Sequence, residues 1–116
     1  MSHFTTIKTI IKNIEHLQNA LKDMNIDYII KGETIIIPQK NNVSLTFAWT
    51  GKSYDFIADL EFWQQTLSFE GFLQKLQKNY NYYSILEKTE KLGFIPTEKI
   101  QTPDGKFKII LQNYLN

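Results

Sequence analysis

Two incompatible apolar periods divide this chain. Ile7, Ile10, Ile11, Ile14, Leu17, Leu21 and Met24 recur at steps of three and four, with Lys8, Lys12, Glu15, Asn19, Lys22 and Asp23 on the opposite side. That stripe predicts an amphipathic helix buried by one face. Val43, Leu45, Phe47 and Trp49 instead alternate with Ser44, Thr46 and Ala48, the two-residue period of a half-buried strand. A chain that carries both periods must lay helix against sheet.

The remaining segments extend that reading. Phe4 to Ile7 favours a short strand through its aromatic and branched residues. Thr6 or Thr9 is available to cap the first helix, and Asn25 to end it. Ile26 to Ile30 and Thr34 to Ile37 read as strands around the turn Lys31-Gly32-Glu33, and Pro38 closes the ladder before the polar loop Gln39 to Asn42. Thr50-Gly51-Lys52 turns the chain into a strand from Ser53 to Ala58. Ser68 caps a second helix through Phe69, Phe72, Leu73, Leu76, Tyr80, Tyr83 and Leu86, with Asn79 and Asn81 as points of weakness and Gly93 as its stop. Phe94 to Ile100 and Phe107 to Leu111 flank Pro103-Asp104-Gly105, which predicts a two-residue hairpin with Gly105 at positive φ. The expected fold is α+β over residues 1–116 as a single domain. Two amphipathic helices pack on one face of a mainly antiparallel or mixed sheet of five to seven strands, an elaborated split-βαβ arrangement.

Composition serves mainly to exclude. At 116 residues and 42% hydrophobic the chain supports a real core. It has no cysteine, which removes disulfides, thiolate catalysis and cysteine-ligated metal centres. A formal net charge of +1 gives no overall bias toward a phosphate backbone. All 13 positive side chains are Lys, so the planar fork that grips phosphate or carboxylate in two places is missing. The abundance of Ile, Lys, Asn, Phe and Tyr follows A- and T-rich codons and fits an organelle or a low-GC bacterium. No apolar run reaches the length of a membrane span, and the N-terminus does not read as a signal peptide; no membrane insertion is expected.

The motif candidates resolve mostly into structure. Thr50-Gly51-Lys52-Ser53 matches the tail of a phosphate-binding loop, but Thr46 stands where the cradle needs glycine, and strand continues on both sides. A hairpin turn is expected there. His3 and His16 lack further ligands at metal-binding spacing, although His3, at the start of a packed element, has the means to titrate or to hold an oxyanion. Asp55, Asp59 and Glu61 alternate toward one strand face, yet no nucleophile or oxyanion donor accompanies them. Lys75 and Lys78 beside Tyr80, Tyr82 and Tyr83 mix charge with aromatic rings, while Glu87 and Glu90 offset the field. The strongest surface lead is Trp49 with Phe62, Trp63 and Phe69, because an irregular segment from Asp59 to Leu67 has difficulty burying so many large groups.

Ser2-His3-Phe4-Thr5-Thr6-Ile7-Lys8-Thr9, the helix end Ala20-Leu21-Lys22-Asp23, the run Tyr54 to Leu60 and the run Leu73 to Tyr80 together resemble a family of uncharacterised proteins from red-algal plastid genomes and cyanobacteria, the hypothetical chloroplast reading frame number thirty-five. The resemblance implies a plastid location and brings no activity, cofactor or catalytic residue with it. Arginines common in that family near the C-terminal strand have no counterpart here. The expected function is that of a small accessory protein-interaction domain in the chloroplast stroma with an unidentified protein partner. His3, Trp49, Asp59, Phe62 and Trp63 are the candidate contact residues, with no catalytic set, no cofactor and no metal. The alternative is a ligand- or RNA-binding regulatory domain without catalysis.

Overall fold

The computed structural model describes residues 3–113. The chain divides into two compact units, residues 1–80 and 81–116, with the boundary inside the second helix. The elements follow the order β1 (Phe4–Lys8), α1 (Ile14–Asp23), β2 (Ile29–Lys31), β3 (Thr34–Ile37), β4 (Leu45–Trp49), β5 (Tyr54–Asp59), a 3-10 turn (Leu60–Phe62), α2 (Phe69–Lys91), β6 (Phe94–Gln101) and β7 (Phe107–Asn113). This is an α+β fold, as the two periods require.

In the first unit a five-stranded sheet has the order β1-β5-β4-β3-β2, every neighbouring pair antiparallel. β1 and β2 therefore run in the same direction at opposite edges, so β1-α1-β2 is a crossover split by three intervening strands. Alternation does the sorting along each strand. Ile35, Ile37, Leu45, Phe47, Tyr54, Phe56 and Ala58 are buried on one face, where Leu17, Ala20 and Leu21 of α1 and Phe72, Leu76 and Tyr80 of α2 complete the core. Phe47 and Phe56, paired across β4 and β5, lie 4.7 Å apart at its centre.

The first helix is shorter than its apolar stripe. Ile7 belongs to β1, opposite Phe56, and Ile10 is 73% exposed. Local hydrogen bonds override the period between them: Thr9 Oγ1 donates to the Tyr54 carbonyl and accepts from the Ile11 N–H, and the Ile11 carbonyl accepts from the Tyr54 N–H. These bonds hold the segment against β5 and bury Ile11. The cap is Asn13, not Thr6 or Thr9, with Asn13 Oδ1 accepting from the His16 N–H at 3.0 Å. Asn25 does end the helix, at φ 56, with the Ile26 N–H donating back to the Leu21 carbonyl. At Thr50 to Ser53 the chain makes a hairpin turn with Gly51 at φ 96, and strands lie on both sides where a phosphate cradle needs a helix.

α2 starts as expected, with Ser68 Oγ accepting from the Gly71 N–H, and runs unbroken through Asn79 and Asn81. Asn79 is itself buried. The Tyr80 hydroxyl accepts from the backbone N–H groups of Lys12 and Asn13, both at 3.1 Å, and so satisfies donors at the entry to α1.

In the second unit β6 and β7 pair with each other and form a separate two-stranded sheet, so the larger antiparallel sheet has five strands, within the expected five to seven. Pro96 brings no N–H to a ladder, and the register shifts between Pro96 and Glu98, features that suit an edge strand. The connecting turn is longer than expected. The Thr102 N–H donates to the Lys106 carbonyl and the Gly105 N–H to the Thr102 carbonyl, with Gly105 at φ 83. That is a three-residue loop, a type I turn opened by Pro103 and closed by a glycine bulge. Asp104 accepts from the Thr102 hydroxyl and, more weakly, from the Lys106 N–H, and these bonds hold its carboxyl below the usual carboxylate range.

Candidate functional site

The segment that joins β5 to α2 is irregular in period and closely fastened in space. Asp59, fully buried at the end of β5, spends both carboxylate oxygens on backbone. Oδ1 accepts from the Glu61 N–H at 3.1 Å, which starts the 3-10 turn, and Oδ2 accepts from the His3 N–H at 3.2 Å. Gln39 does most of the remaining work. Its amide nitrogen donates to the carbonyls of Val43 and Phe62, and its oxygen accepts from the Gln64 N–H at 2.9 Å and from Gln65 Nε2 at 3.0 Å. Asn41 adds a 2.9 Å bond from its amide to the Phe62 carbonyl, and its own N–H donates to Gln64 Oε1 at 3.0 Å. Backbone that would otherwise need water is satisfied by side chains of the loop between β3 and β4.

Trp63 locks the segment from the other side. Its ring stands almost perpendicular to those of Phe56, Phe69 and Phe72, at 6.3, 5.5 and 5.3 Å. Edge-to-face contact suits the aromatic quadrupole. The indole N–H donates to the Leu67 carbonyl at 2.8 Å. With that ring anchored, Leu60, Phe62 and Leu67 remain 42%, 41% and 37% exposed on a backbone that has little freedom left. Beside them Met24, Ile26, Gln65, Thr66, Leu67, Phe72 and Lys75 line a cleft of about 240 Å³.

The sequence candidates therefore separate by role. Phe62 presents its side chain to water; Trp63 supports it from the core. Asp59 and the His3 backbone form one hydrogen bond that ties the segment to the start of β1. Trp49 ends β4 on its core-facing side, half-buried and packed against the Tyr54 ring at 5.0 Å. Burial, with Glu33 nearby, pushes the Tyr54 phenol above its usual range. Gln39 was missed by sequence reasoning, which took it for part of a polar loop. Its one signal is position, immediately after the proline that ends β3 and two residues before Asn41.

The chemistry of the carboxylates points away from acid-base work. Asp55 faces Lys8 across the strand pair at 3.7 Å, and Asp59 is occupied by two N–H groups. No group of three or more His, Cys, Asp or Glu residues positioned to hold a metal occurs among the described residues. On α2 the tyrosines enter packing, while Lys75 stays exposed. Tyr80 is buried, and Tyr82 meets Phe107 at 5.8 Å with Lys99 Nζ over both rings. Among the described residues no helix is long and apolar enough to cross a membrane.

Fold and site together define a small α+β protein with a fastened apolar surface segment. The chain belongs to the family described as protein of unknown function (DUF1257), whose profile matches residues 14–110. It is 40% identical over 98% of both chains to the "Uncharacterized protein ycf35" of Guillardia theta and, with the same identity and coverage, to that of Pyropia yezoensis. The protein of the same name from Cyanophora paradoxa is 35% identical, again over 98% of both chains. The shared name denotes a reading frame of plastid genomes and supports a plastid location. Neither family description nor names assign an activity. No solved structure matches the chain.

Proposed function

We propose that the chain works as one domain in the plastid stroma, as an accessory protein-docking module without catalysis, and that it engages its protein partner through Leu60, Phe62 and Leu67. One observation carries this reading: Gln39, Asn41, Asp59 and Trp63 immobilise residues 59–67, yet the segment keeps three large apolar side chains in water. A flexible loop would lose conformational entropy on binding. A segment already held in place avoids most of that cost, and apolar anchors on rigid backbone are the groups that dominate interface energy. His3 and Trp49 contribute at the margins, His3 through the Asp59 link and Trp49 as the half-buried last residue of β4.

The test compares wild type with Phe62→Ser in quantitative affinity capture from plastid extract, with thermal melting as a control. Phe62 is the informative position because Trp63→Ala would remove a core ring and cost about 3–5 kcal/mol of stability, confusing unfolding with lost contact. The expected result is a specific partner lost with Phe62→Ser while the melting temperature holds. Retention of every partner by the folded variant refutes the docking role. Capture that collapses between low and physiological salt favours an RNA-bound complex over apolar docking.

A further inference from the structure

We propose that two copies of this chain pair through the outer face of the β6–β7 hairpin, a surface separate from the segment argued above. The hairpin has two faces, fixed by its register. Lys99, Gln101, Phe107 and Ile109 lie on the face that meets Tyr82 of α2. The opposite face carries Ile95, Glu98, Ile100, Lys108 and Ile110, with Glu98 across from Ile110 and Ile100 across from Lys108. Ile95 and Ile110 are 41% and 37% exposed there.

Among its described residues the unit that bears this face has no apolar core of its own. Between Asn81 and Asn113 no apolar side chain is buried, whereas Ile85, Leu92, Ile95, Ile110 and Leu111 are all exposed. A lone two-stranded sheet is marginal in water and gains its stability from whatever covers it. The pattern of charge says what that cover is. Glu98 and Lys108 occupy diagonal corners of a four-residue patch, Ile100 and Ile110 the other two, and neither charge has an ion-pair partner among the described residues. Positions two residues apart along a strand are separated by about 6.6 Å and neighbouring strands by about 4.8 Å, so the patch is a short rectangle in which each charge lies within about 2.5 Å of the other's mirror position across the isoleucine diagonal.

A two-fold axis laid along the Ile100–Ile110 diagonal sets each isoleucine on its own counterpart. The same operation sets Glu98 on the second copy's Lys108 and Lys108 on the second copy's Glu98. One unpaired charge of each sign, flanking an apolar diagonal, is thus self-complementary, as a two-fold interface requires. The strands of the two hairpins cross steeply, in the orthogonal mode of sheet packing. A heterologous partner has no need of this symmetry; a second copy does.

Sedimentation velocity on the full chain across the micromolar range tests the pairing, with circular dichroism to verify folding of each variant. The wild type is expected to form a dimer. Glu98→Lys and Lys108→Glu should each weaken it at least about tenfold, since each reversal sets like charges together twice, and the double reversal should restore it. Ile110→Asp should leave a monomer. A wild type that stays monomeric assigns the face to another partner and overturns the proposal. So does a dimer indifferent to Ile110→Asp, or one that the double reversal fails to rescue.

Discussion

Tyr80 shows how much a single polar atom can decide in this core. Its ring is buried beside His16, 6.0 Å between centroids, while its hydroxyl accepts from the Lys12 and Asn13 N–H groups, which open α1. In Tyr80→Phe the ring contacts persist and two partly buried donors lose their acceptor. Leaving such donors unmatched costs about 1–3 kcal/mol, so the urea midpoint should fall by that equivalent with the unfolding slope unchanged. An unaltered midpoint would mean that water reaches both N–H groups. The sequence placed Tyr80 on the buried stripe of its helix correctly. It did not reveal the hydroxyl's partners, because they lie 67 and 68 positions away and no local period encodes such a bond.

At the scale of elements, legibility followed period wherever period met no competitor. The alternation from Val43 to Trp49 became β4, the branched run Thr34 to Ile37 became β3, and the stripe from Phe69 onward became α2. It failed between Ile7 and Asn13, where the three- and four-residue step continued but β1 pairing and the Thr9 bonds took the backbone instead. The final hairpin combines both outcomes. Gly105 stands at positive φ as its position after Asp104 implies, although in a three-residue loop and not a two-residue one. A Cβ there meets nothing within 4 Å, so Gly105→Val pays in torsion alone. The strain is about 1–2 kcal/mol, and the expected result is a lower melting temperature with weaker amide protection in β6 and β7. Equal melting and equal protection would show that the turn relaxes to another geometry at no cost.

Across the whole molecule the two units differ in what holds them together, and that difference was only half written in the sequence. The core residues of the first unit were legible from their periods. The candidate site was legible as a cluster of large groups, but not as a fastened one: Gln39 and Asn41 sit more than twenty positions before the backbone they secure, and their polarity reads as solvent-facing. Among the described residues every buried apolar side chain lies at or before Tyr80, so opening the first unit exposes the core while opening the second exposes little. Native-state hydrogen exchange should therefore resolve two levels. Amides of Phe47 and Phe56 are expected to exchange only through global unfolding, and those of Ile109 and Ile110 through a cheaper opening of the hairpin. The cheaper opening carries a signature of its own: if the outer face pairs with a second copy, protection of Ile109 and Ile110 rises with protein concentration, and that of Phe56 rises with it because global unfolding also breaks the pair. Uniform protection at all concentrations would establish one cooperative unit and remove the physical distinction between the hairpin and the core.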